Sequence, residues 1–140
     1  MKKKMELFGL IILVSVAGIL VSTCDLEVYP QGTPDPDFYG RWRDNSTSWR
    51  QNTISSNKIV YSHSDGSNYT MEDLTWTAIT NTGSNASTFP NGYHISGTIT
   101  SVSNVANREK GESHGRNYFI NEAKNKIWIE GSAGNPYNKQ

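Results

Sequence analysis

The stretch Gly-Tyr-His-Ile-Ser-Gly-Thr-Ile-Thr-Ser-Val, residues 92–102, alternates with period two. Tyr93, Ile95, Gly97 and Ile99 fall on one face of an extended chain, and His94, Ser96, Thr98 and Thr100 on the other. Successive side chains of a strand point to opposite sides of its sheet, so this pattern specifies a strand with one buried and one wet face. A helix cannot use it. Beyond residue 38 no segment sustains apolar residues at the i, i+3, i+4, i+7 spacing that a helix face requires. The chain is committed to sheet, and the question becomes how its edges close.

Similar segments recur at roughly ten-residue intervals, the spacing of sandwiches and barrels. Ile59, Tyr61 and His63 face one way and Val60, Ser62 and Ser64 the other, ahead of an Asp65-Gly66 turn signal. Leu74, Trp76 and Ala78 alternate up to a stop at residues 81–83. Residues 118–120 and 127–129 read as the arms of a hairpin about a polar turn at 123–125. Residues 38–45 and 47–55 supply two earlier strands, and 81–92 and 104–115 read as exposed loops. The expected fold is all-β, a small antiparallel meander barrel or sandwich of about 7–8 strands.

The N-terminus has a different composition. Lys2, Lys3 and Lys4 precede an uncharged apolar run over residues 8–21, the layout of an export signal. The run is short for a membrane span, which takes about 20 apolar residues. Val21-Ser22-Thr23-Cys24 follows, and Cys24 is the chain's one cysteine. Small residues directly before a cysteine resemble the bacterial lipobox. That resemblance implies cleavage before Cys24, a diacylglycerol on its thiol and usually an acyl chain on its new amine, so residues 1–23 would be a signal peptide. Each buried CH₂ contributes about 0.8 kcal/mol, so two or three chains attach a protein permanently where one does not. The alternative is a secretory signal with an unpaired cysteine. Asp25 next to the cysteine retains lipoproteins at the inner membrane in some sorting systems, which leaves the leaflet open.

Residues 24–37 contain Pro30, Gly32, Pro34 and Pro36 and read as a tether reaching at most roughly 30–40 Å from the membrane. Residues 38–140 then form one modest domain. The whole chain has 13 Lys+Arg and 13 Asp+Glu, and it stays near neutral once the leading lysines are removed. With no basic stripe, nucleic acid is not an expected partner.

Phe38-Tyr39-Gly40-Arg41-Trp42 opens the domain. A Gly-x-Trp on the first strand after a proline-rich lead resembles the lipocalin-like (calycin) barrels. That likeness implies close chain approach at Gly40 and closure of the barrel base by Trp42, with Arg116 as a stacking partner. The other reading makes Trp42 a core aromatic of a different sandwich.

Catalytic constellations are weak. Gly111-Glu112-Ser113-His114-Gly115 fits the nucleophile-elbow pattern, but it follows a polar loop, precedes a strand, and has no later histidine. Ser55-Ser56-Asn57-Lys58 fits Ser-x-x-Lys without the helix start that chemistry needs. His63, His94 and His114 lack metal-ligand spacing, although His63 and Asp65 share a strand face. Glu72 and Asp73 point oppositely, and Asn45, Asn68 and Asn85 begin sequons that reflect composition. No enzyme activity, metal or cofactor is expected.

The aromatics Trp49, Tyr61, Tyr69, Trp76, Tyr93 and Tyr137 exceed what a tight small core holds if all are inside, so some line a pocket or a surface patch; the other reading is plain barrel filling. The expectation is a lipid-anchored envelope protein, facing away from the cytoplasm, that binds a small apolar or amphipathic ligand in a pocket containing Tyr61, Trp76 and Tyr93. The alternative is a surface lipoprotein that binds an envelope or host protein through exposed aromatics.

Overall fold

A computed structural model describes residues 32–132 and 135–140. The expected signal peptide, Cys24 and the first part of the expected tether lie outside the described residues. A 3-10 turn, Pro36–Phe38, leads into eight strands: β1 Gly40–Arg43, β2 Arg50–Ile54, β3 Lys58–His63, β4 Asn68–Thr80, β5 Asn91–Ser103, β6 Ser113–Ile120, β7 Lys126–Ile129 and β8 Tyr137–Lys139. Each pairs antiparallel with the next, and β8 returns to β1 through Trp42 opposite Lys139 and Arg43 opposite Asn138. The meander is a closed barrel, which leaves no sheet edge among the described residues to template aggregation.

Short polar side chains hold the connections. Asp44, buried after β1, accepts from Ser46 Oγ at 2.7 Å and from the Arg50 amide at 3.1 Å, which fixes the entry to β2. Asp65 Oδ1 accepts from the Ser67 amide at 2.8 Å beside Gly66, whose φ of +87° suits a residue without a β-carbon. Asn121 Oδ1 accepts from the amides of Asn125 and Lys126 and so closes the β6–β7 hairpin. In the long β4–β5 connection, buried Asn81 donates to the Phe89 carbonyl at 2.9 Å.

The expected alternation holds in β5, where Tyr93, Ile95 and Ile99 are buried and His94 is exposed. It breaks in β4. Met71 and Trp76 are both buried although an odd number of positions separates them. The register explains this: Glu72 faces Thr98 and Thr75 faces Ser96, so Asp73 and Leu74 together oppose Gly97 alone. This β-bulge, with Asp73 at φ 55°, switches which positions face inward and bends the longest hairpin of the barrel. A second shift between Thr70 and Met71 adds to the curvature.

The core collects Phe38, Trp42, Ile54, Ile59, Met71, Trp76, Tyr93, Ile95, Tyr118, Ile127, Ile129 and Tyr137. Phe38 enters from outside the sheet. Asp35 caps the 3-10 turn through the Asp37 amide at 2.9 Å, and Pro36 stands at its first turn, where no amide is needed. Phe38 is thereby pressed edge-on against Tyr93 at 5.5 Å and Trp76 at 6.2 Å. The turn thus packs on the barrel within the segment expected as tether. It seals the end that carries the β2–β3, β4–β5 and β6–β7 connections.

Candidate functional site

Pairing register divides the interior into two tiers. At the sealed end Phe38, Tyr39, Trp76 and Tyr93 interlock as edge-to-face pairs, with Trp76 and Tyr93 only 1% and 6% exposed. These contacts fill the space, and neither Trp76 nor Tyr93 lines the cavities described below. Their burial is that of core aromatics. The Trp76 Nε1 proton finds no acceptor among the described residues and sits amid aromatic faces.

The other end is open. Inward positions there carry Arg50 of β2, Tyr61 and His63 of β3, Tyr69 of β4, and His114 and Arg116 of β6. Two adjoining cavities, of about 200 and 340 Å³, share Tyr61 and Arg116. The smaller is lined by Arg50, Gly131, Ser132 and Tyr137 as well. The larger runs under the β5–β6 loop and adds Tyr69, Val105, Ala106, Asn107 and Arg108. Tyr61 and Tyr69 are direct cross-strand neighbours and stack at 5.0 Å with their planes 20° apart, giving a flat aromatic wall.

Arginine supplies the charge in the lining of this mouth, while the Asp44 and Asp65 carboxylates act on Tyr61 from outside it. Among the described residues no acidic side chain lines either cavity. Arg108 is neutralised by Glu112 at 3.3 Å and also donates to the Asn107 carbonyl. Arg50 and Arg116 have no ion-pair partner among the described residues. Burial raises the phenol pKa of Tyr61, Tyr69 and Tyr137, and nearby guanidinium groups offset only part of the rise. All three hydroxyls stay protonated at neutral pH and can donate. Burial, followed by Arg108 and Arg116, lowers His114 to about 4, so its ring, edge-on to Tyr69 at 5.7 Å, is neutral.

Other residues singled out by the sequence lie apart from this mouth. Gly40 adopts φ +127° and lies against Lys139, whose Cε would stand 3.4 Å from an added β-carbon. Trp42 is fully buried and donates from Nε1 to the Phe38 carbonyl at 2.7 Å. The cation over its ring is Lys139 of β8, at 5.0 Å, while Arg116 lines the mouth. The expected Trp42–Arg116 stack is thus replaced by one with Lys139, because β8 and not β6 lies beside β1. Ser113 is exposed at the head of β6, with a strand and not a helix after it. The histidines are dispersed: His63 pairs with Asp65 at 2.8 Å, His94 meets Asn117 at 2.7 Å on the outer face, and His114 faces inward.

Arg50 and Arg108 were not anticipated. Arg50 was readable, since it shares strand parity with inward Asn52 and Ile54. Arg108 depends on how a long loop folds back, which no local pattern encodes. The class so defined is a closed, eight-stranded meander barrel, sealed by aromatics at one end and lined with tyrosine and arginine at the other. No protein-family model, curated protein or solved structure matches the chain.

Proposed function

We propose that this chain is an envelope lipoprotein, anchored through Cys24, whose lipocalin-like barrel holds a small amphipathic ligand in its mouth without transforming it. The observation that carries the binding half is the pair of adjoining cavities sharing Tyr61 and Arg116. They lie at the end opposite the aromatic seal and combine aromatic walls with a few converging polar groups, the usual make-up of a ligand site. The anchoring half rests on the export-signal layout and on the cysteine after Val21-Ser22-Thr23. The barrel's chain enters at the sealed end through Asp35 and Phe38. An anchor upstream therefore attaches on the side of the sealed end, opposite the mouth.

Two experiments test these halves. Mass spectrometry of the mature N-terminus checks for an acylated Cys24, and an unmodified thiol there overturns the anchor. Titration with anilinonaphthalene sulfonate, an amphipathic fluorophore, checks the mouth. Saturable one-to-one binding, blocked by Ala106→Trp in the loop lining the larger cavity, supports the reading, and its absence overturns it.

The second reading, a surface lipoprotein that binds a protein partner, draws on the outer face. Trp128 of β7 is partly exposed there and stacks on Phe119 of β6 at 5.8 Å. Capture of an envelope or host protein that is lost in Trp128→Ala without loss of stability favours it.

A further inference from the structure

Arg50 and Arg116 project into one cavity of about 200 Å³ together with Tyr61 and Tyr137. Like charges directed into a shared, partly desolvated space repel, and folded proteins ordinarily place a carboxylate between them. Among the described residues none lines this cavity or the adjoining one. Asp44, the buried carboxylate on the β1–β2 turn, spends Oδ1 on Ser46 and on the Arg50 amide and forms no ion pair with the Arg50 guanidinium. Arg108, also at the mouth, already has Glu112. Arg50 and Arg116 therefore make no ion pair among the described residues, and the Asp44 and Asp65 carboxylates act on Tyr61 from outside the cavity lining.

The hydrogen-bonding groups agree with the charge. A guanidinium is a planar fork of donors that matches carboxylate and phosphate oxygens two at a time. The hydroxyls of Tyr61, Tyr69 and Tyr137, kept protonated by burial, add donors of the kind an oxyanion accepts. His114, neutral at physiological pH, adds no competing charge.

Size and walls define the remainder of the ligand. In register, Arg116 stands beside Ile95, and the next inward residue of β6 is Tyr118, only 1% exposed. The floor is solid at that level, so a long acyl chain has nowhere to run. The stacked Tyr61–Tyr69 pair, with Val105 and Ala106 above, offers an apolar surface wide enough for one ring or a short chain.

Resting on the binding reading above, we propose that the mouth recognises a small organic oxyanion, a carboxylate or a phosphate ester. Arg50 and Arg116 clamp its charged group, and the Tyr61–Tyr69 wall receives its apolar body.

The test compares two fluorophores of one skeleton, anilinonaphthalene sulfonate and neutral phenylnaphthylamine. The sulfonate should bind at least about tenfold more tightly, because a hydrogen bond to a charged partner is worth about one decade of affinity or more. Arg116→Gln should remove that advantage and leave the neutral probe unchanged. Arg50→Gln provides the same readout should the first variant misfold, and Arg41→Gln, on the outer face, should change nothing. Displacement of the bound sulfonate by hexanoate and by hexyl phosphate, with hexanol as the uncharged control, shows which oxyanion the clamp prefers. Equal affinity for both probes, or sulfonate binding indifferent to Arg116→Gln and Arg50→Gln, overturns the oxyanion clamp while leaving a ligand site in place. If neither probe binds, the binding reading itself falls.

Discussion

Gly97→Ala tests the geometry that lets this barrel close. Gly97 faces two residues of β4 at the bulge, and a β-carbon there would overlap the Glu72 carbonyl oxygen. It would also stand 2.9 Å from Leu74 Cδ2 and 3.0 Å from Met71 Cγ. Carbon contacts settle at about 3.5–4.0 Å, so β4 and β5 must part by roughly an ångström. Overpacking of this kind costs about 1–3 kcal/mol, and weakening one ladder hydrogen bond adds about 1 kcal/mol. The expected loss is about 2–4 kcal/mol, which at about 4–8 °C per kcal/mol for a domain of this size lowers Tm by roughly 10–25 °C. Urea unfolding followed by tryptophan fluorescence reads it as a lower midpoint at unchanged slope. Adding Leu74→Ala should recover little, since the main obstacle is backbone. Gly111→Ala is the comparator: φ is +92° with open space around it, so only strain of about 1 kcal/mol is expected. A Gly97→Ala protein within about 0.5 kcal/mol of the parent would refute the bulge packing.

Two further outcomes follow from the seal and from His114. Trp42→Phe removes the buried hydrogen bond to the Phe38 carbonyl and should cost about 1–3 kcal/mol in denaturant unfolding, with faster amide exchange at Phe38; an unchanged midpoint would contradict the seal. For His114 the folded pKa of about 4 lies below the ordinary 6.5, so the unfolded chain takes up the proton more readily, and stability falls as pH drops from 6.5 toward 4. A shift of that size corresponds to about 3 kcal/mol in full, reduced to about 1–2 kcal/mol by solvent screening at a half-buried ring. His114→Phe should remove that part of the acid destabilisation, and parallel pH profiles for parent and variant would contradict it.

Much of the sheet was legible because alternation is a local property. Tyr93, Ile95 and Ile99 announce β5, and the polar interval around residue 124 announces the β6–β7 hairpin. The β4 bulge was not legible, since a parity switch at Asp73 and Leu74 depends on what faces them across the sheet. The short strand Tyr137–Lys139 offers too few residues for a period to register, yet it closes the barrel. Alternation also says which side chains point inward but not which end is filled. Trp76, Tyr93 and Tyr61 are alike in sequence. The first two are covered by Phe38, carried in by a 3-10 turn outside the sheet, and Tyr61 is left at the mouth. Arg116 read as a partner for Trp42 because late-strand arginines serve so in lipocalin-like barrels, but the closing strand brings Lys139 there instead.

The most direct measurement is an amide chemical-shift map of the labelled barrel titrated with anilinonaphthalene sulfonate. Shifts concentrated at Arg50, Tyr61 and Arg116, with Trp76 and Tyr93 unmoved, are the predicted result. Shifts centred on Trp76 and Tyr93 would place the opening at the wrong end and contradict the account.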